Sequence, residues 1–241
     1  MPLQTVESNR LYRQIAEQVR GLIVAGEFAT GKRLPAERDL ARQLGVSRPS
    51  VREALIALEV EGWVEVRTGS GIYVQPPRQR AAAGAPRNGN GTGTDWGPLE
   101  LMRARELVEG EVAALAARHA RRPQVAAMAA ALEQMRADAQ SAIAPRAGDE
   151  DFHTAIAQAC GNEVLCDTVR NYWSARHGPL FVRLGDWFET PASWIAALVE
   201  HEAVLEAIRG RDADAARGAM QQHLKKATAR YSASWREANR P

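Results

Sequence analysis

Cysteine is scarce in this chain: only Cys160 and Cys166 occur among 241 residues, and their spacing matches no disulfide framework, zinc site or redox motif. The default reading is a pair of buried small residues. Long apolar runs are missing as well. The longest cover a handful of residues, against the roughly 20 that a membrane-spanning helix needs, so a membrane protein is excluded. The opening MPLQTVESNRLYRQ lacks the basic and then apolar regions of a secretory signal. These absences point to a reduced, cytoplasmic protein. Charge of one sign is lacking too, with 31 Lys and Arg against 29 Asp and Glu, a formal +2. What remains is ordinary: 45% apolar and 25% charged residues exclude wholesale disorder or a fibrous repeat. The length allows one large domain or two modest ones.

The charge is unevenly spread. From Lys32 to Arg52 six cations face two acids, and Glu53 to Glu65 then carries four glutamates and no cation. A basic island followed by an acidic stretch suggests a helix pair that meets an anion on one side and solvent on the other. Between Val74 and Leu99, nine of the 23 residues of PPRQRAAAGAPRNGNGTGTDWGP are Gly or Pro, and none is Val, Ile, Leu or Phe. Such a segment cannot bury enough surface to fold. The expected organisation is therefore a unit over 1–75, a flexible linker over 76–98 and a second unit over 99–241.

In the first unit Ile15, Val19, Leu22 and Ile23 have helical spacing that ends near Gly26. PAERDLARQL reads as a second helix, with Pro35 at its start and Gly45 as its C-terminal cap. Ser47 caps a third helix, RPSVREALIALEVEG. WVEVRTGSGIYV then reads as a hairpin. The whole is a winged helix-turn-helix, a DNA-binding architecture whose recognition helix enters the major groove by its N-terminal end. That end offers Ser47, Arg48, Ser50 and Arg52. Arginine forks match guanine O6 and N7, so Arg48 and Arg52 are the expected base readers, with Arg38 within reach of the same groove. The serines and the wing glycines suit the backbone or minor groove. A phosphate-cradling reading of Gly69-Ser70-Gly71 fails for want of an accompanying lysine.

The second unit is rich in Ala and Leu and helical in spacing throughout, which predicts an all-α bundle of six or seven helices. Three histidines fall on its apolar stripes: His153 in line with Asp149 and Ile156, His201 between Leu198 and Leu205, and His223 after Ala216 and Met220. Asp149 and His153 share one face. A lone histidine on such a stripe is usually a core residue, but three with a carboxylate suggest a metal site. His119, at a helix end, and His177, in a loop, are read as non-ligands. Arg105, on the inward stripe of the first bundle helix, needs an anionic partner, and Glu109 one turn away is a candidate.

The run from LYRQIAEQVRGLIVAGEF through LPAERDLA, GVSRPSVREAL and GSGIYV resembles the DNA-binding domain of the GntR superfamily of bacterial transcriptional regulators. RELVEGEVAALAA, DEDFHTAIAQACGNEVL and HEAVLEAIRGRDADAARGAMQQHL resemble the FadR-type, or FCD, ligand-binding domain. The resemblance places Arg38, Arg48 and Arg52 where the family contacts bases and Gly69 at the wing tip. It makes Asp149, His153, His201 and His223 the ligands of a divalent metal (Zn, Ni, Fe or Mn) and puts Arg105 in an effector pocket. NRLYRQIAEQV, REALIALEVEGWVEVRTGSGIYV and YWSARHGPLFVRL look closest to the hexuronate-catabolism repressor branch.

The expected function is a homodimeric repressor, not an enzyme, that reads an inverted-repeat operator on double-stranded DNA and is released by a small organic acid, here a sugar acid. Metal affinity is expected to fall as the imidazoles protonate near pH ~6.5. Three alternatives stand beside this: a metalloenzyme fused to a DNA-binding domain, a purely structural metal, and an effector such as lactate or pyruvate. Against the enzyme, no motif places a nucleophile or general base near the ligands.

Overall fold

The computed structural model of the protein describes residues 11–67, 70–76 and 96–238, with side-chain surroundings to residue 230. The chain forms two compact units, with the change between Leu99 and Glu100. Most of the expected linker, residues 77–95, lies outside the described residues.

In the first unit α1 (Leu11–Val24) turns Tyr12, Ile15, Ala16, Val19 and Ile23 inward. It packs on α3 (Arg48–Val60), in which Val51, Ala54, Leu55, Ile56 and Leu58 have no accessible surface. Burying each such Leu or Ile contributes about 1.5–3 kcal/mol, which makes α3 the centre of this unit as well as its recognition helix. Ser47 caps α3 as expected, its Oγ accepting from the Ser50 amide at 3.2 Å. The preceding helix, α2 (Glu37–Leu44), ends at Gly45 with φ 66°, a left-handed cap that suits glycine. It starts later than expected. Pro35 lies outside the helix because the first helical amides, those of Asp39 and Leu40, bond to the carbonyl of an extended Ala36. β1 (Val64–Arg67) and β2 (Gly71–Val74) pair antiparallel, with Val64 opposite Val74. Helices and hairpin together make the winged helix-turn-helix.

The second unit consists, among the described residues, of seven helices: α4 (Pro98–His119), α5 (Arg122–Gln140), α6 (Arg146–Ala159), α7 (Glu163–Arg176), α8 (Pro179–Phe188), α9 (Pro191–Arg209) and α10 (Ala213–Ala238). Their boundaries follow local chemistry. Gly161 takes φ 76°, and the Asn162 side chain then accepts from the amides of Val164 and Leu165 to start α7. Thr190 and Ser193 cap α9 reciprocally, at 3.2 and 2.9 Å. α9 ends at Gly210, but the left-handed residue is the next one, Arg211, φ 57°. Its guanidinium holds that conformation by bonding the carbonyls of Arg118 and Ala120.

One core runs through the bundle: Val112 and Ala116 from α4, Met128 and Leu132 from α5, Phe152 and Ile156 from α6, Leu205 and Ile208 from α9, Met220 and Leu224 from α10. Cys160 and Cys166 are buried free thiols beside it. The helices α5 and α6 approach closely at Gly148. A Cβ there would lie 2.6 Å from Met135 Cγ and 3.1 Å from the Ala131 carbonyl oxygen.

Helix propensity alone predicts that Gly→Ala inside a helix stabilises by about 1 kcal/mol. At exposed Gly218 of α10, where a Cβ would meet nothing within 4 Å, that gain is expected in full. At Gly148 the backbone carbonyl cannot yield, so Gly148→Ala is expected to destabilise by about 1–3 kcal/mol. Denaturant titration of both variants checks the opposite signs.

Candidate functional site

The first unit presents the N-terminal end of α3. Arg38, on α2, has an exposed side chain, and Arg48, Ser47 and Ser50 are partly or fully open to solvent. Arg52 is placed otherwise than expected. It is 4% exposed, and its Nε and Nη2 donate to both oxygens of Glu37 at 2.9–3.2 Å. The reason is helical geometry: Arg52 lies on the inward side of α3, where a buried guanidinium must find an anion. Gly69, the expected wing tip, lies outside the described residues.

In the second unit α6 supplies Asp149 and His153, α9 supplies His201 and α10 supplies His223. One donor atom from each lies within 4.8 Å of the others. His153 Nε2 and His201 Nε2 are 3.2 Å apart, and Asp149 Oδ1 is 3.2 Å from the latter and 3.6 Å from the former. All three imidazoles are buried. Phe152 stands edge-on to the His201 ring at 4.8 Å between centroids. The sequence placed these four residues on three inward stripes, Asp149 and His153 sharing one; the tertiary structure brings them to one point.

Behind this cluster stands a layer of carboxylates whose pairing with the histidines spacing did not announce. His153 Nδ1 pairs with Glu109, and His223 Nδ1 pairs with Glu200 at 2.9 Å. Burial by itself would raise the Glu109 carboxyl, but Arg105 and His153 outweigh it and hold it at about 2. An ionised Glu109 accepts only, so His153 carries its proton on Nδ1 and turns a bare Nε2 lone pair inward. Burial likewise works against the Glu200 charge, and the hydrogen bonds from His223 and Arg230 prevail, so His223 is arranged in the same way. Glu109 was legible as the partner of Arg105 four residues before it. Glu200 was not, because its partner lies on another helix. His201 Nδ1 is buried and has no hydrogen-bond partner.

The residues present fit a divalent cation. Ligands about 2.0–2.2 Å from one ion lie about 3 Å apart at right angles and somewhat more at wider angles, and the 3.2 Å separations meet that requirement. The donor set of three neutral imidazoles and one carboxylate suits Zn, Ni, Fe or Mn. Burial lowers the pKa of His153, and burial with the neighbouring His201 pushes His223 down to about 3. The Asp149 carboxyl is opposed by burial, yet its bond to His201 and the Arg176 charge hold it well below its ordinary value. The expected loss of metal affinity is thereby moved below pH ~6.5 for these two histidines.

Asp149 and His223 of the cluster line a cavity with about 80 Å³ of free space, enough for a few water molecules. Its polar lining includes Arg105, Arg146, Arg176 and Arg230 together with Glu189 and Trp194, and apolar side chains complete the wall. Arg105 bonds Glu109 at 2.5 Å and is 1% exposed, so the partner expected from spacing is present. Arg105 also reaches the cavity wall. Arg105 and Arg176 lie over the ring of buried Trp173, at 4.6 and 4.2 Å. His119 ends α4, and exposed His177 follows α7 and pairs with Glu150 at 2.9 Å, both away from the cluster.

Residues 11–74 match the bacterial regulatory proteins of the gntR family, and residues 100–226 match the FCD domain. The chain belongs to the GntR family and carries an FCD domain. The Exu regulon transcriptional regulator of Escherichia coli (strain K12) is 37% identical to it over 228 residues, 92% of this chain and 84% of that one. The Uxu operon transcriptional regulator of the same organism is 36% identical over 220 residues, 90% and 85% of the two chains. The solved structure of E. coli McbR/YncC shares the fold with a TM-score of 0.50 at 20% identity, covering 94% of this chain and 99% of that one. This GntR protein is a DNA-binding transcriptional regulator. No helix among its described residues is long and apolar enough to cross a membrane.

The buried histidines make a signed prediction for metal-free protein. Unfolded His223 titrates near ~6.5, and the folded group titrates near 3. The unfolded chain therefore binds the proton first, so this contribution to stability is complete above pH ~6.5 and is lost as pH falls toward 3. Chelated wild type should lose melting temperature between pH ~6.5 and ~4.5 more steeply than His223→Gln. Equal slopes would show that His223 is not held neutral.

Proposed function

We propose that this regulator is a homodimeric repressor whose FCD domain holds a divalent metal on Asp149, His153, His201 and His223 and binds a sugar acid that releases it from DNA. The observation that carries this reading is the single cavity joining Asp149 and His223 to four arginines. The ion would supply fixed positive charge to hold a carboxylate. Arg105, Arg146, Arg176 and Arg230 add donors around it, and charge-assisted bonds of this kind are the strong ones in a partly buried site. Trp194 offers a donor that suits a hydroxyl group, its Nε1–H being buried with no hydrogen-bond partner. A hexuronate or aldonate has this combination of one carboxylate and many hydroxyls. The names of the Exu and Uxu relatives, which concern hexuronate catabolism, favour the same class.

On the DNA side, Arg38, Ser47, Arg48 and Ser50 are the residues proposed to meet the operator, and Gly69 is proposed with them from the family resemblance. One recognition helix makes few base contacts, so a two-fold dimer reading an inverted repeat supplies the specificity. Effector and DNA are linked: an acid that weakens operator binding by some factor is itself bound more weakly, by that factor, when DNA is present.

Calorimetry of zinc- or manganese-loaded protein with glucuronate, galacturonate, lactate and pyruvate tests the effector. Binding of a hexuronate that is abolished by chelation, together with weakened binding to operator DNA, is expected. Binding of lactate or pyruvate with no response to any sugar acid would replace the effector class. Metal analysis should give one ion per chain in the wild type and none in a His153→Ala/His201→Ala variant. Arg48→Ala should cost about 1–3 kcal/mol of operator binding per half-site, read by fluorescence titration.

A further inference from the structure

Glu37 opens α2 and is 7% exposed. A carboxylate so enclosed persists as an ion only when cations answer it. Two do, both from α3. Buried Arg52 holds it from the inner side through Nε and Nη2, and Arg48 donates Nε–H to Glu37 Oε1 at 3.0 Å from the outer side. Arg48 and Arg52 are one helical turn apart, so both guanidinium groups converge on one anion.

The two arginines are nevertheless unlike. The Arg48 side chain is 44% exposed, and the only bond it makes among the described residues uses Nε, on the edge facing the protein. Its terminal Nη1 and Nη2 are not engaged by Glu37. An end-on pair of N–H groups is the arrangement that matches guanine O6 and N7. A free arginine side chain carries considerable rotamer entropy, some of which must be lost when it docks on a base. Anchoring Nε beforehand fixes the plane of the fork before DNA arrives.

We propose that Glu37 is a positioning residue for operator recognition: clamped by Arg52, it aims the terminal nitrogens of Arg48 at a guanine, and Arg52 acts through it without touching a base. The proposal rests on the DNA-binding activity of the family and is independent of the metal and the effector. It differs from a merely structural role, because a clamp that only stiffened α2 against α3 would alter stability without changing which base is preferred.

The test uses the full-length chain, a duplex selected from random sequence by the wild-type protein, and a scrambled duplex of equal length. Glu37→Gln is expected to lose about tenfold in affinity for the selected duplex, with affinity for the scrambled duplex unchanged or raised by removal of an anion. The preference for G·C at one position of each half-site should flatten. In an Arg48→Ala background Glu37→Gln should change nothing further, because the two substitutions act on one contact. The double variant Glu37→Met/Arg52→Met removes both buried charges together. Such replacement is compatible with a stable fold, and this variant should show the same flattened preference at an undiminished melting temperature. Wild-type base preference in either Glu37 variant, or an equal loss on both duplexes, would overturn the proposal.

Discussion

A buried charge must be answered by another, and most of the second unit's organisation follows from that constraint. Glu109 would not remain ionised inside the bundle without Arg105 and His153, and Glu200 depends in the same way on His223 and Arg230. Each carboxylate then fixes a ring: it accepts the hydrogen bond from Nδ1–H and obliges Nε2 to face inward. Breaking such a pair by removing one member costs about 3–5 kcal/mol, far more than the pair adds over a well-packed apolar substitute. The arrangement is therefore poorly explained as a stabilising device and well explained as one that specifies the direction of lone pairs.

The same pairs tie the helices together where the apolar core cannot. Glu109 on α4 reaches His153 on α6, Glu200 on α9 reaches His223 on α10, and Arg176 on α7 reaches Asp149 on α6 at 3.4 Å. Five helices thus meet at one polar centre inside an otherwise apolar bundle. A ligand that competes for Arg176 or Arg230 would compete with Asp149 or Glu200 for those guanidinium groups. This gives an anion in the cavity a physical route to the packing of α6, α7, α9 and α10. The orphaned Nδ1 of His201 marks the one ring without such a carboxylate.

The DNA-binding unit repeats the principle on a smaller scale. Its basic island is not a uniformly solvated face. One of its two acids, Glu37, is drawn inside, and it divides the arginines of α3 into a buried one and an exposed one. Positive charge counted along the chain overstated what is available to phosphate and bases, since Arg52 is already neutralised. The acid standing within the island was the one signal in the sequence that some of that charge would be spent internally.

The sequence by itself determined the elements and the class of site. Helical stripes, the caps at Gly45 and Ser47, and the hairpin of Val64–Arg67 with Gly71–Val74 are local, set by backbone conformation and by hydrogen bonds within a few residues. Asp149, His153, His201 and His223 were legible as a set because each is a polar residue in an apolar stripe, which only burial with a partner explains. The tertiary structure alone decided the rest. Whether an arginine on α3 faces a base or a buried glutamate depends on where α2 lies. Which nitrogen of each histidine turns inward depends on Glu109 and Glu200, whose partners are 44 and 23 residues away. Periodicity records which side of a helix is inward, and only packing determines what is met there.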